Sequence, residues 1–380
     1  MRRFQIMLLL TLSTVFTSQT SAAELQLEFV PRLDGWQSGN SLQQEFKREL
    51  YLRSALDVMA QSGLSAYRFR LEGFVTRDLA EENLRPLGAP DIRKSRDESD
   101  LNEAWVDLTY DSLGLRVGRQ PIRWSQSWTL PSLDLFSGRR FNRFFLDPLL
   151  DQLTHPDAIR ITKSGKIFEQ AFDVDLVRVY KSAPIRFAQP VANREREDLH
   201  ETALRASAKI GLLDLAIIGS HKLEPRLGKN EIISGLQGSY AFNDVVVKTE
   251  VGNSDRDALF LTLGSDWFLD EWFVGPQLTI YRDALLLAAT GEAIAYIPVR
   301  YTKEKWTFEL DLLKGFGSPN SQRDLYSSIR VAYEFTSGFT ASAGAQTYRG
   351  EAGRLLGQAQ NLTEEKTIGF RLEYTGGLTL

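Results

Sequence analysis

The chain has 380 residues, with 45 basic and 49 acidic side chains and a formal charge of -4. That near-balance argues against a nucleic-acid partner. The absence of cysteine excludes a disulfide framework and a thiolate metal site. The length suffices for a large core or for one large closed sheet.

In chain order, the first element reads as a signal peptide over residues 1–23. A basic MRRF precedes the apolar run IMLLLTLSTVF, and Ser21 and Ala23 fit the small-residue rule for cleavage. The mature chain is expected to start near Glu24 and to form one unit over 24–380. No later window is long and apolar enough to cross a bilayer as a helix. Instead, segments of period two recur, which is the signature of strands. The expected strands are 25–34, 43–58, 64–78, 101–110, 114–124, 157–163, 170–181, 199–210 and 213–223. They continue with 230–240, 243–252, 257–265, 272–283, 290–298, 303–313, 325–335, 338–348 and 364–375. Pro31 interrupts the first. In YRFRLEGFV, Arg68, Arg70 and Glu72 fall on one face, and Tyr67, Phe69 and Leu71 on the other. Glu103 and Asp107, Glu309 and Asp311, Arg330 and Glu334, and Arg371 and Glu373 are set against apolar neighbours in the same way.

Short connections follow Ala60, Tyr110, Ile210, Phe242 and Thr336, whereas longer polar ones lie at 79–100, 125–156, 184–198, 315–324 and 349–364. Short turns at one rim and long loops at the other give a barrel's rhythm. Lipid cannot satisfy backbone N–H and C=O groups, so a sheet placed there must close on itself. Mid-strand charges that would be costly in a dry core are tolerated in a wet lumen. The fold expected is therefore all-β, a transmembrane antiparallel β-barrel of about 18 strands (16–18) in the outer membrane of a Gram-negative bacterium.

Within LRVGRQPIRW, Arg116, Arg119 and Arg123 cannot share one face of a regular strand, so a bulge is expected near Gly118 or Pro121, or one arginine at the rim. The connection at 125–156 interleaves Phe136, Phe141, Phe144 and Phe145 with Arg139, Arg140 and Arg143. Folded into the lumen or packed across its mouth, it would narrow the channel and offer arginine forks to an anionic solute. Alternatively it braces the barrel, its arginines pairing with Asp134, Asp147 and Asp151. The candidates for lining or constricting the pore are Arg68, Arg70, Glu103, Asp107, Arg116, Arg119, Arg123, Arg139, Arg140, Arg143, Arg330 and Arg371. Charges of both signs inside a barrel shape selectivity or hold neighbouring strands together. An enzyme is not expected. Of the three histidines, His155, His200 and His221, none stands near a serine in a nucleophile-elbow context. Neither a metal-ligand motif nor a phosphate loop occurs, and no cofactor is expected.

The stretch LNEAWVDLTYDSLGLRVGRQPIRWSQSW, residues 101–128, resembles the hairpin shared by the alginate-export-like barrels and related porin-like outer-membrane proteins of proteobacteria. The matching residues are Glu103, Trp105, Leu115, Gly118, Arg119, Gln120 and Trp124. Ser125 and Gln126 depart from the glycine and polar residue that often follow in those families. The resemblance implies one barrel with an arginine-lined pathway, in families whose substrates include anionic polysaccharide and small organic acids. Outer-membrane barrels also commonly finish on an aromatic residue. Here either that signal ends at Tyr374 with a tail behind it, or Leu380 takes its place. Two functions are expected as alternatives. One is a passive channel for polar or anionic solutes. The other is a narrow or plugged barrel that serves as a structural or assembly component with a periplasmic or lipoprotein subunit.

Overall fold

The computed structural model describes residues 22–40, 43–78, 98–126, 136, 138–139, 153–181, 197–224, 229–255, 259–282, 292–316, 325–349 and 364–379. The signal peptide expected at 1–23 falls almost wholly outside them, as do Arg140 and Arg143. The strands are β1 (Ala22–Asn40), β2 (Gln43–Ser62), β3 (Ser65–Asp78), β4 (Glu98–Tyr110), β5 (Leu113–Arg119), β6 (Gly138–Arg139), β7 (Leu153–Thr154) and β8 (Asp157–Ile167). Next come β9 (Gln170–Lys181), β10 (Glu197–Ile210), β11 (Leu213–Glu224), β12 (Lys229–Phe242), β13 (Val245–Ser254), β14 (Leu259–Leu269) and β15 (Trp272–Val274). The last are β16 (Gln277–Arg282), β17 (Glu292–Lys303), β18 (Trp306–Phe316), β19 (Leu325–Thr336), β20 (Phe339–Arg349), β21 (Glu364–Tyr374) and β22 (Gly376–Thr379).

Twenty of these make one antiparallel sheet, and β6 pairs with β7 apart from it. β15 with β16, and β21 with β22, are single staves in two halves, so the wall has 18 staves. It closes where β1 pairs with β21 and β22. Each expected strand finds its stave, but three boundaries need correction. First, β1 runs through Pro31 to Asn40, in register with Leu52 and Gln43 of β2. Proline has no N–H to donate, and the ladder to the closing stave breaks at its level, between the pairs Phe29–Gly376 and Arg32–Glu373. Second, residues 376–379 are part of the wall, hydrogen-bonded to β1, and not a tail behind Tyr374. Third, the strand expected over 114–124 stops at Arg119.

One rim carries eight two-residue turns: Gly63–Leu64, Asp111–Ser112, Phe168–Glu169, Gly211–Leu212, Asn243–Asp244, Asp270–Glu271, Glu304–Lys305 and Ser337–Gly338. Tight hairpins need left-handed backbone. Asp111, Asn243 and Asp270 supply it at φ of 52°, 47° and 50°, as their short polar side chains allow. The opposite rim carries the connections as long as 79–97 and 350–363, which lie outside the described residues.

Alternation sorts the side chains into two environments. Leu50, Leu52, Leu71, Val75, Ile161, Leu215, Ile217, Leu236, Leu263, Ile329 and Ile368 are exposed on the outer face. So extended an apolar surface exceeds the patches that soluble monomers display, and lipid is the solvent it fits. Near the two-residue turns the outer face becomes aromatic. Trp272 lies 4.6 Å from Tyr301, Trp306 lies 4.6 Å from Tyr333, and Phe335 lies 5.8 Å from Phe339, ring centre to ring centre. Such girdles mark the membrane interface.

Candidate functional site in the barrel interior

The inner face of β1–β5 is a lattice of arginine–carboxylate pairs between neighbouring strands. Arg68 on β3 reaches Asp57 on β2 through Nε at 2.9 Å and Nη2 at 2.6 Å. Arg70 donates to Asp57 at 3.2 Å and to Glu72 at 2.5 Å, and stands 3.3 Å from Glu103. Arg116 on β5 donates to Asp107 on β4 at 2.9 and 2.5 Å. Between them lies the buried Trp105, whose Nε1 donates to Glu103 at 2.8 Å. The Arg116 guanidinium lies 4.0 Å above its ring and that of Arg68 lies 5.4 Å away, which are cation–π distances. The lattice continues around the wall. Arg371 and Arg32 flank the buried Asp34 at 2.8 and 2.9 Å, Arg300 and Arg330 share Glu309 at 2.8 and 2.6 Å, and Arg160 pairs with Asp175 at 2.9 Å.

These pairs hold strands together, and although Arg116 and Asp107 are nearly even at 23% and 20% exposure, most of the others are lopsided. The Arg68 side chain is 43% exposed against 5% for Asp57, and Arg300 is 58% exposed against 16% for Glu309. The same order holds for Arg70, Arg160, Arg330 and Arg371 and their partners. In these pairs the carboxylate lies against the wall and the guanidinium group is the more exposed partner, so this part of the inner face is more cationic than the balance of charge implies.

Elsewhere on the inner face an apolar cluster forms where the chain packs against the wall. After Arg119 the chain leaves the wall for the lumen, five residues before the connection expected at 125–156 begins. Gly118, just before the departure, has φ of +122°, but the register with β4 and β8 is unbroken through Arg119, so no bulge lies at Gly118. Gln120 is fully buried, and its amide donates to the carbonyl oxygens of Ala158, Gly118 and Arg116 at 2.8, 3.3 and 3.4 Å. Its backbone N–H donates to Pro156 at 3.1 Å. Ile122, Trp124 and Phe136 then pack with the inward Ala158, Val177, Val179, Ala203, Ile218, Ile233 and Phe260. Trp124 meets Phe136 edge-on at 6.0 Å. Farther along, Ser125 Oγ donates to both oxygens of Glu250 on β13, at 2.9 and 2.8 Å, and the Gln126 N–H donates to the same carboxylate. Gln237 on β12 donates to the Trp124 carbonyl at 2.5 Å and to Glu250 at 3.3 Å.

Among the expected site residues, Arg68, Arg70, Glu103, Asp107 and Arg116 come together around Trp105, while Arg330 and Arg371 stand elsewhere on the inner face. Arg123 is exposed on the inner segment, between the buried Ile122 and Trp124. Arg119 pairs in register with Ala104, which pairs in turn with Leu71 of the outward series. It donates to Asp157 at 2.9 Å and to the Leu101 carbonyl at 2.8 Å. Arg139 is placed by its backbone alone, in the pairing of β6 with β7, and its side chain lies outside the described residues. Sequence reasoning named Gln120 only as part of the hairpin motif, without a role, and missed Gln237 and Glu250. In GSYAFNDVVVKTEVG, the glutamate reads as one more lumen charge, since its partner lies 125 positions away. Among the described residues, no group of three or more His, Asp or Glu stands close enough to hold a metal ion.

The fold so defined is that of the porin-like outer-membrane barrels. OccAB4 of Acinetobacter baumannii superposes with a TM-score of 0.59 at 14% identity, over 95% of this chain and 99% of that one. OccK2 (OpdF) of Pseudomonas aeruginosa in complex with glucuronate gives 0.59 at 12% identity, over 95% and 100%. OccK5 (OpdH) of Pseudomonas aeruginosa gives 0.58 at 13% identity, also over 95% and 100%. No protein-family model matches the sequence, and no curated protein does either.

Proposed function

We propose that the protein is an outer-membrane porin-like channel through which small polar or anionic solutes diffuse passively. The observation that supports this most is the lopsided exposure of the inner ion pairs, exemplified by Arg300 over Glu309 and Arg68 over Asp57. A solute passing such a wall meets guanidinium forks, and these suit carboxylates geometrically. The exposed Arg123 on the inner segment adds another. Lipid surrounds the barrel, and no cofactor takes part. The purified protein in a planar bilayer should pass current, with a reversal potential of anion preference in a KCl gradient. Liposome swelling should be faster with glucuronate, the ligand of the structurally similar OccK2, than with a neutral sugar of equal size. Cation preference would overturn this reading.

A second reading draws on the apolar packing of residues 122–136 against the inner wall. In it the barrel is too narrow to conduct and serves as the membrane part of an assembly with a periplasmic or lipoprotein subunit. Absence of current together with a co-purifying subunit would favour it.

A further inference from the structure

Segment 120–126 is fastened at two points. At its start, Gln120 spans three backbone carbonyls where the chain leaves the wall. At its far end, the receptor is built on one hairpin, since Gln237 of β12 and Glu250 of β13 face each other in register. Between these points the side chains alternate, with Ile122 and Trp124 packed into the wall and Arg123 exposed.

We propose that Glu250 is the positioning residue of the permeation pathway: it holds segment 120–126 to the inner wall and thereby fixes where the Arg123 guanidinium stands in the water path. This rests on the reading of the interior as an anion-conducting route. Glu250 is 1% exposed, and its two oxygens accept from a hydroxyl, a backbone N–H and an amide. Hydrogen bonds to an ionised acceptor are roughly twice as strong as neutral ones. Three of them on one fixed side chain make a stiff attachment for a segment that has no strand partner. The neighbouring Lys248 is paired with Asp266 on the next stave, so the attachment is bordered by a separate ion pair. The apolar residues secure the segment's body, while the carboxylate sets its register along the wall.

The absence of cysteine from the chain makes the test clean. Ile122→Cys places a thiol in the packed cluster, where it should resist a water-soluble thiol reagent. Adding Glu250→Ala should raise its labelling rate by about tenfold or more, because the lost bonds are those to a charged group. Glu250→Gln, which keeps one acceptor oxygen but loses the charge, should give a rate between those of the parent and Glu250→Ala. In bilayers, Glu250→Ala should lower anion preference as far as Arg123→Gln does. The double variant should match Arg123→Gln alone, since two residues acting through one position are not additive. If Glu250→Ala does not fold, Ser125→Ala removes the hydroxyl tether without touching the wall and should give a smaller rise in labelling. If the introduced thiol stays protected without these tethers, in a channel that conducts, this inference alone is overturned. Faster labelling with unchanged selectivity overturns the link to Arg123. A wild type that passes no current overturns it together with the channel reading.

Discussion

A methyl group on Gly118 would meet the Ala104 carbonyl oxygen at 2.1 Å, on a backbone with φ of +122°. Both the contact and the conformation therefore select glycine where the chain leaves the sheet. Gly118→Ala should lower barrel stability by roughly 2–4 kcal/mol, combining backbone strain with overpacking. The change would be read as a lower urea midpoint for unfolding from lipid vesicles, and an unchanged midpoint would mean that the turn-off tolerates a side chain. Asp34 poses the opposite problem at the seam. Fully buried between Arg32 and Arg371, it neutralises two guanidinium groups. Asp34→Asn should cost about 3–5 kcal/mol, the range for a buried pair left without one partner, and the same midpoint would report it.

At the scale of strands, the two faces obey different rules. Leu236, in mid-strand on β12, is 55% exposed outward, and Leu236→Arg should cost roughly 2–4 kcal/mol in a bilayer, as expected for a cation on the lipid face near mid-depth. Folding yield into vesicles measures this, and a yield equal to wild type would place Leu236 outside the apolar belt. Which residues face lipid was legible in the sequence because alternation is a local property: Arg68 and Arg70 against Tyr67 and Leu71, or Arg330 against Ile329 and Val331, need no partner to be assigned. The ends of strands were less legible, because the neighbouring stave decides them. LRVGRQPIRW keeps a strand-like pattern past Arg119, yet its continuation belongs to the lumen, for reasons held in Ala158, Pro156 and Glu250. Likewise Pro31 reads as a breaker but is accommodated, because the missing bond falls where the closing stave is itself interrupted. The paired state of the inner charges was half legible: the residues could be named, but not that carboxylates retreat to the wall while arginines advance.

For the whole molecule, selectivity should follow from a field and not from one binding contact. Guanidinium groups that project into water are screened by salt, over a Debye length of about 10 Å at 0.1 M and about 3 Å at 1 M. Anion preference should therefore weaken as KCl is raised at constant gradient ratio. Preference independent of salt would point to tight local binding. Closure has a different reach. The first and last staves meet through contacts such as Arg371 with Asp34, separated by 337 positions, and contacts between distant residues form slowly. A polypeptide halted short of that meeting would keep two raw borders of unpaired amides and carbonyls, which hydrocarbon does not accept. Prematurely ended products should thus stay outside the bilayer and fall to periplasmic proteolysis, so that only full translation yields an inserted molecule.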